Sequence, residues 1–401
     1  MFSFFRQKDL SKDDFAEMMR KRFNQAVGSD CFRYNQKDFT LNDGKDRSVF
    51  LGNIYGHYLQ SKGAERKAQL DRFVQGVAQA GANEMPERFE DAKENIIPVV
   101  RERMMFEGIK LRSKFQDAKQ VAFENWVGNL CLALVYDSPN AMAMINQEQL
   151  ANWGMNYEEG LSLARNNLGL LTKPQFISPT EGVYIAAWDD DYDSSRLLLT
   201  HLWNTLDVAG DVVVICANRN RVFATGDEST EGLRAILAFT QKALQEPRAM
   251  RPQAMVLRNG QWSLFEYSGE DAELRANFEL LHLQTQAGEY EEQKAMLDAK
   301  FEEEGTDLFV ASFYASRNQE TGELMNYCVW TMGIECLLPK STQVAVVDPE
   351  LGQEKGMLGM TTWEALVEDP GVSFQQHESH YPPRFIPSGR PTDAFLANLA
   401  K

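Results

Sequence analysis

Residues 211–227 read DVVVICANRNRVFATGD, and the fold turns on how this stretch is taken. Val212, Val213, Val214 and Ile215 are β-branched, and the apolar run is too short for a buried helix, so it reads as a strand. Arg219-Asn220 separates it from a second strand-like run, 221–227, which makes the whole an antiparallel hairpin. Downstream, Leu233, Ile236, Leu237, Thr240 and Leu244 recur at helical spacing. AMVLRNGQWSLFEY (254–267) then reads as another hairpin, turning at Asn259-Gly260. Hairpins interleaved with amphipathic helices place the chain in the α+β class.

Working toward the N-terminus, 182–188 reads as a strand and is followed by WDDDYDSSRLLL (188–199). A helix is expected over 194–206 with Leu198, Leu202 and Leu206 inward. The prolines of KPQFISPTEG (173–182) stop the preceding helix, 156–168, whose face is Tyr157, Leu161, Ala164 and Leu168. Strands are expected at 95–103 and 126–137, with 141–146 pairing back after Ser138-Pro139-Asn140. The first 80 residues read as a helix (11–27), a small meander (31–35, 38–42, 47–51) and a second helix (64–80). The polar segment 84–94 is the first connection. From 270 the composition shifts to a Glu- and Ala-rich helix, 271–303. Strands follow at 307–315, 325–338 and 342–347, with a Gly322 turn, a short helix near Thr361 and an extended tail, 381–393. The expected organisation is an N-terminal lobe (1–90) and a central lobe (91–270) of mixed short-strand sheets with packed helices. A C-terminal α+β domain (271–401) follows.

Over residues 11–268 the order of these elements resembles the YtpQ-like bacterial family of unknown function. The resemblance is carried by IIPVVR (96–101), Asn167-Leu168, YDSSRLL (192–198) and DVVVICANRNRVFATGD. It departs at Ser194, where a small residue such as alanine is expected. The resemblance implies a soluble bacterial α+β protein and no established activity, and it does not reach the C-terminal region.

The chain has 401 residues, 43% hydrophobic and 25% charged, enough for two or three ordinary domains. A formal charge of −17 argues against a nucleic-acid or anionic-membrane surface, since both require lysine and arginine to displace counterions. It favours solubility and steering toward a cationic partner. Five cysteines, an odd number with no Cys-x-x-Cys pair, suit buried thiols in a reducing compartment. The apolar start, 1–5, is too short for a signal peptide, and the longest apolar stretch, 126–136, is half a membrane span. The expectation is a cytoplasmic protein.

The four aspartates of 188–199 invite three readings. A calcium loop beginning at Asp189 fails, because Ser194 stands where glycine is needed and Thr200 where a bidentate carboxylate is needed. A phosphoryl-transfer pair, Asp189/Asp191 or Asp191/Asp193 with Mg²⁺, finds no Lys and acidic residue at strand ends to complete it. The third reading is a helix N-terminus capped by Asp193. It leaves Arg196 in the first turn, paired with Asp193 or Asp189 or gripping an external anion. Arg196, Asp193, Asp191, Asp189, Asn167 and Arg101 are therefore the candidate ligand-binding residues, with no catalytic residue, metal or cofactor assigned. His377-Glu378-Ser379-His380 offers two imidazoles but no pattern completing four zinc ligands, and reads as a solvent-facing loop. GQEKGMLG (352–359) lacks the ending of a phosphate loop and reads as a surface loop; Cys216 reads as a core thiol. The functional expectation is a non-catalytic binding or adaptor protein with a protein partner. The alternative is a metal-dependent phosphoesterase-like enzyme using the 189–193 cluster.

Overall fold

The computed structural model describes residues 9–36, 39–43, 48–79, 85–112, 120–138, 141–188, 190–246, 249–317, 323–352, 356–378 and 380–399. It has an α+β architecture. Helix α1 (Lys12–Val27) begins where the Ser11 side chain accepts from the Asp14 amide and ends at the left-handed Gly28. A three-stranded meander, β1 (Arg33–Asn35), β2 (Thr40–Asn42) and β3 (Ser48–Phe50), leads into α2 (Gly52–Gln60) and α3 (Gly63–Gln79). Phe15, Met19, Phe23, Phe32, Leu41 and Leu70 form the core of this lobe.

After α4 (Phe89–Ala92), β4 (Ile96–Glu102) runs into α5 (Arg103–Arg112), a helix the sequence pattern did not announce. Strands β5 (Phe123–Asn125), β6 (Leu130–Ser138) and β7 (Ala141–Met144) complete a sheet in which β4 is an edge. β6 starts at Leu130 rather than 126, because 126–130 turn back on themselves through the bonds Trp126 N–H to Leu130 O and Leu130 N–H to Val127 O. β7 does pair with β6; Pro139 and Asn140 of the expected turn lie outside the described residues. Helix α6 (Gln147–Asn152) precedes α7 (Tyr157–Leu171), which opens on an Asn156–Glu159 capping box.

The six-stranded antiparallel sheet is built from β8 (Phe176–Thr180), β9 (Val183–Ala186), β10 (Val212–Asn218) and β11 (Arg221–Gly226), with α8 (Thr200–Trp203) between β9 and β10. After α9 (Thr230–Ala243), β12 (Ala254–Arg258) and β13 (Gln261–Leu264) complete it, in the order β13-β12-β10-β11-β9-β8. Both expected hairpins are present. Asn218 faces Arg221 across Arg219-Asn220, and Arg258 faces Gln261 across Asn259-Gly260, whose φ values of 51 and 75° suit a tight hairpin turn. Every residue of β10 is buried. Val212, Val214 and Cys216 face the core shared with β4 and β6. Val213, Ile215 and Ala217 face α9 and the start of α10 (Ala272–Glu304). Cover on both faces is why the run is continuously apolar.

Helix α10 packs Leu274, Phe278 and Leu281 against the six-stranded sheet's core. Farther along it packs Leu297 and Phe301 against Leu111, Val310 and Leu337. The central and C-terminal regions thus share one continuous helix. Beyond it come β14 (Phe309–Val310), β15 (Tyr314–Arg317), β16 (Leu324–Thr331), β17 (Cys336–Pro339), β18 (Gln343–Val347) and β19 (Met357–Thr362). Then follow α11 (Trp363–Glu368), β20 (Val372–Gln376), β21 (Arg384–Gly389) and α12 (Asp393–Ala397). They form two four-stranded sheets, β14-β17-β21-β20 and β15-β16-β18-β19. The segments read as 307–315 and 325–338 are each two strands belonging to different sheets, and Gly322 lies outside the described residues. The proline-broken tail is no free extension: β21 pairs with β17 and β20. Likewise 357–359, read as surface loop, belongs to β19.

Candidate functional site

The expected helix over 194–206 is broken. Ser194–Leu198 form a 3-10 turn, Leu199 leaves helical geometry at φ −96 and ψ 67°, and only α8 is α-helical. Two tryptophans brace the broken turn. Trp203 Nε1 donates to Arg196 O at 2.8 Å, and Trp262 Nε1 donates to Leu197 O at 2.8 Å. Arg196 O also accepts the Leu199 amide at 3.0 Å in the 3-10 pattern, so the indoles supplement the tightened turn and satisfy its buried carbonyls from the side. Ser195 Oγ accepts from the Val100 amide of the edge strand β4 at 3.2 Å, fixing the turn to the first sheet.

Arg196 is the centre of this arrangement. It is 1% exposed. Nη1 and Nη2 donate to the two carboxylate oxygens of Asp190 at 2.7 and 2.6 Å, and Nε donates to Thr172 Oγ1 at 2.9 Å. Its guanidinium lies 4.6 Å from the Trp188 ring centre, a cation–π contact strengthened by the loss of water around it. Among the described residues the partner is Asp190, not Asp193; Asp189 lies outside them. The bidentate fork is filled from within the chain, which leaves no fork for an external anion.

The remaining candidates face different ways. Asp193 is fully buried and caps nothing: its Oδ1 turns back to accept the Trp188 amide at 3.0 Å. Burial pushes its carboxyl up to about 6, the nearby Asp190 adding to the shift. Asp191 adopts a left-handed φ of 71°, and its Oδ1 accepts from Asn220 Nδ2 at 3.0 Å in the β10–β11 turn. Asn167 spends its amide on Lys93 O and Ile96 O, at 2.7 and 2.9 Å, tying α7 to the start of β4. Arg101 is buried, with Nη1 on Val100 O at 2.8 Å, and its charge reaches the buried Tyr192. A phosphoryl-transfer pair needs two carboxylates on one open position. Among the described residues, Asp190, Asp191 and Asp193 are instead each engaged with a different partner.

Donor atoms converge elsewhere. His377, Glu378 and His380 each bring one ligand-type atom within 4.8 Å of the others. The loop carrying them is not solvent-facing at His380, which is 3% exposed with Nδ1 2.7 Å from Glu107 Oε1. Sequence reading noticed the two histidines but missed Glu107, which is 273 residues away along the chain and brought in by α5. Several cavities are present, two of which stand out, and the first borders the acidic turn, because Arg219 in its lining accepts the Ser194 amide at 3.1 Å. This one, of about 450 Å³, is lined by His57, Tyr58, Arg66, Arg72, Phe73 and Arg219, a basic lining in an acidic chain. The other, about 310 Å³, is lined by Phe265, Tyr267, Phe278 and His282 among others.

Exposed apolar side chains lie near the acidic turn. At the end of α7 and the start of β8, Leu170, Leu171 and Ile177 are 80, 61 and 58% exposed. No helix among the described residues is long and apolar enough to cross a membrane. No family model, curated protein or solved structure matches the chain.

Proposed function

We propose that this is a non-catalytic binding protein of the reducing cytoplasm that docks a protein partner on the surface made by the end of α7 and the start of β8. One observation carries the reading: three large aliphatic side chains within eight residues, Leu170 to Ile177, stand mostly in water. Grouped exposed apolar residues mark interaction surfaces, whereas isolated ones need no explanation. β8 is an edge strand, but Pro179 lacks an amide hydrogen and the β8–β9 register is irregular between Ile177 and Thr180. Both blunt the edge against strand addition, so docking uses side chains rather than backbone. A partner surface with an apolar centre matches this patch, and the net charge of −17 favours approach by a basic partner.

The latch beneath supports the same reading. Arg196 joins Thr172 at the end of α7 to Asp190 and Trp188 after β9, holding the patch on a rigid base. The cysteines fit a reducing compartment: all five are free, and burial pushes the Cys131, Cys216 and Cys336 thiols up to about 12. The test is a pull-down with tagged full-length chain at native salt, run beside a Leu170→Asp/Leu171→Asp variant of unchanged melting temperature. A partner recovered reproducibly by the parent and lost by the variant is expected. If every protein recovered is the same for both, the reading fails.

A further inference from the structure

We propose that His377, Glu378 and His380 form a binding site for one divalent transition-metal ion, best matched by zinc, with Glu107 positioning His380. The loop between β20 and β21 carries all three ligands, and α5 supplies Glu107. The chemistry follows from where the imidazole protons must go. His380 Nδ1 stands 2.7 Å from Glu107 Oε1, and both side chains are buried. In the neutral tautomer with its proton on Nδ1, shared with that carboxylate, the Nε2 lone pair points the other way. It points toward Glu378 Oε2 at 3.4 Å, too far for a good hydrogen bond of its own.

Two atoms of this group are buried without any hydrogen-bond partner, His380 Nε2 and His377 Nδ1. Orphaned buried polar atoms are uncommon and costly; two on neighbouring imidazoles, beside a carboxylate, is the arrangement that a shared cation satisfies. Geometry agrees. Donors on a tetrahedral zinc ion, with bonds of about 2.0 Å, stand about 3.3 Å apart, and two such imidazoles have ring centres about 5 Å apart. Here the Nε2–Oε2 distance is 3.4 Å and the ring centres are 5.2 Å apart.

Two imidazoles and one carboxylate favour zinc-like ions over magnesium or calcium, which prefer oxygen alone. The Glu107–His380 pair is the carboxylate–histidine relay that orients a metal-bound imidazole. Glu378 is half exposed, so a fourth position opens to water. Because Glu107 belongs to α5 and the ligands to the β20–β21 loop, an ion bound here would reinforce the contact between the two through His380.

The test uses untagged, chelator-treated full-length chain titrated with Zn²⁺ by calorimetry and with Co²⁺ by visible absorption. One ion per chain is expected, at micromolar Kd or tighter (about 10⁻⁶ M), with an intense Co²⁺ spectrum and a higher melting temperature on adding Zn²⁺. His377→Ala and Glu378→Gln change partly exposed side chains, so the fold should survive, and each should abolish the stoichiometric binding. Glu107→Gln should weaken it about 10- to 100-fold. No saturable Zn²⁺ binding by the parent chain overturns the proposal. So does binding that persists unchanged in both His377→Ala and Glu378→Gln, which would place the ion elsewhere. Nitrogen-15 NMR of the histidines gives a second reading: His380 protonated on both nitrogens at pH 8 with Zn²⁺ present would also overturn it.

Discussion

Both guanidinium ends of Arg196 meet both carboxylate oxygens of Asp190, at 2.7 and 2.6 Å, although the arginine is 1% and the aspartate 43% exposed by side chain. The asymmetry matters. Stripped of its partner, Asp190 regains water, whereas Arg196 would remain as a buried unpaired charge. Removing one partner of a buried pair costs about 3–5 kcal/mol. Asp190→Asn should sit near the lower end, about 3 kcal/mol, because Asp193 stays within the field of Arg196. Urea denaturation of parent and variant measures it; a difference below about 0.5 kcal/mol, the range of ordinary surface changes, would mean that the pair is not the latch described.

The break in the helix after Asp193 is braced by indole donors. Trp262→Phe keeps an aromatic ring beside Trp203 but leaves Leu197 O without its indole hydrogen bond. The expected loss is about 1–2 kcal/mol, with native far-UV circular dichroism. A stability equal to the parent's would mean that the indoles do not brace the turn.

Glu289 carries a pH dependence. It is 4% exposed, and burial pushes its carboxyl up to about 7, with Glu102 adding to the shift while Tyr381, Arg251 and Asn129 oppose it. Its unfolded value is about 4.3. A raised acid holds its proton longer in the folded chain, so stability from this group is full below about pH 4, declines as pH rises and is gone above about 7. The span is on the order of 3 kcal/mol. Glu289→Gln, which retains an oxygen to accept from Tyr381, should flatten the fall in melting temperature between pH 5 and 8. An unchanged pH profile would show that Glu289 is not the group responsible.

Two glycines should respond in opposite directions to alanine. A Cβ at Gly226, at the end of β11, would lie 1.9 Å from Ala209 O, a backbone atom with nowhere to go. Gly226→Ala should cost at least about 3 kcal/mol, beyond the usual range for single substitutions. At Gly169, in the last turn of α7, a Cβ meets nothing within 4 Å, so Gly169→Ala should gain about 0.5–1 kcal/mol through helix propensity. Thermal melts of the two variants decide both; equal effects would contradict the packing at β11.

The sequence by itself determined the α+β class, the two hairpins at 219–220 and 259–260, and α9, because these signals are local. Turn chemistry and side-chain periodicity act over a few residues. Local pattern failed where distant atoms intervened. The helix expected over 194–206 yields to a 3-10 turn braced by hydrogen bonds from Trp203 and Trp262. The tail after His380 becomes a strand because β17 and β20 receive it. Arg196 was legible as a misplaced charge needing a partner, but its pairing with Asp190 rather than Asp193 was visible only in the folded turn. Only the tertiary structure brought Glu107 onto His380 across 273 residues. A single sequence carries no record of such long-range pairs, since their positions are set by packing rather than by spacing.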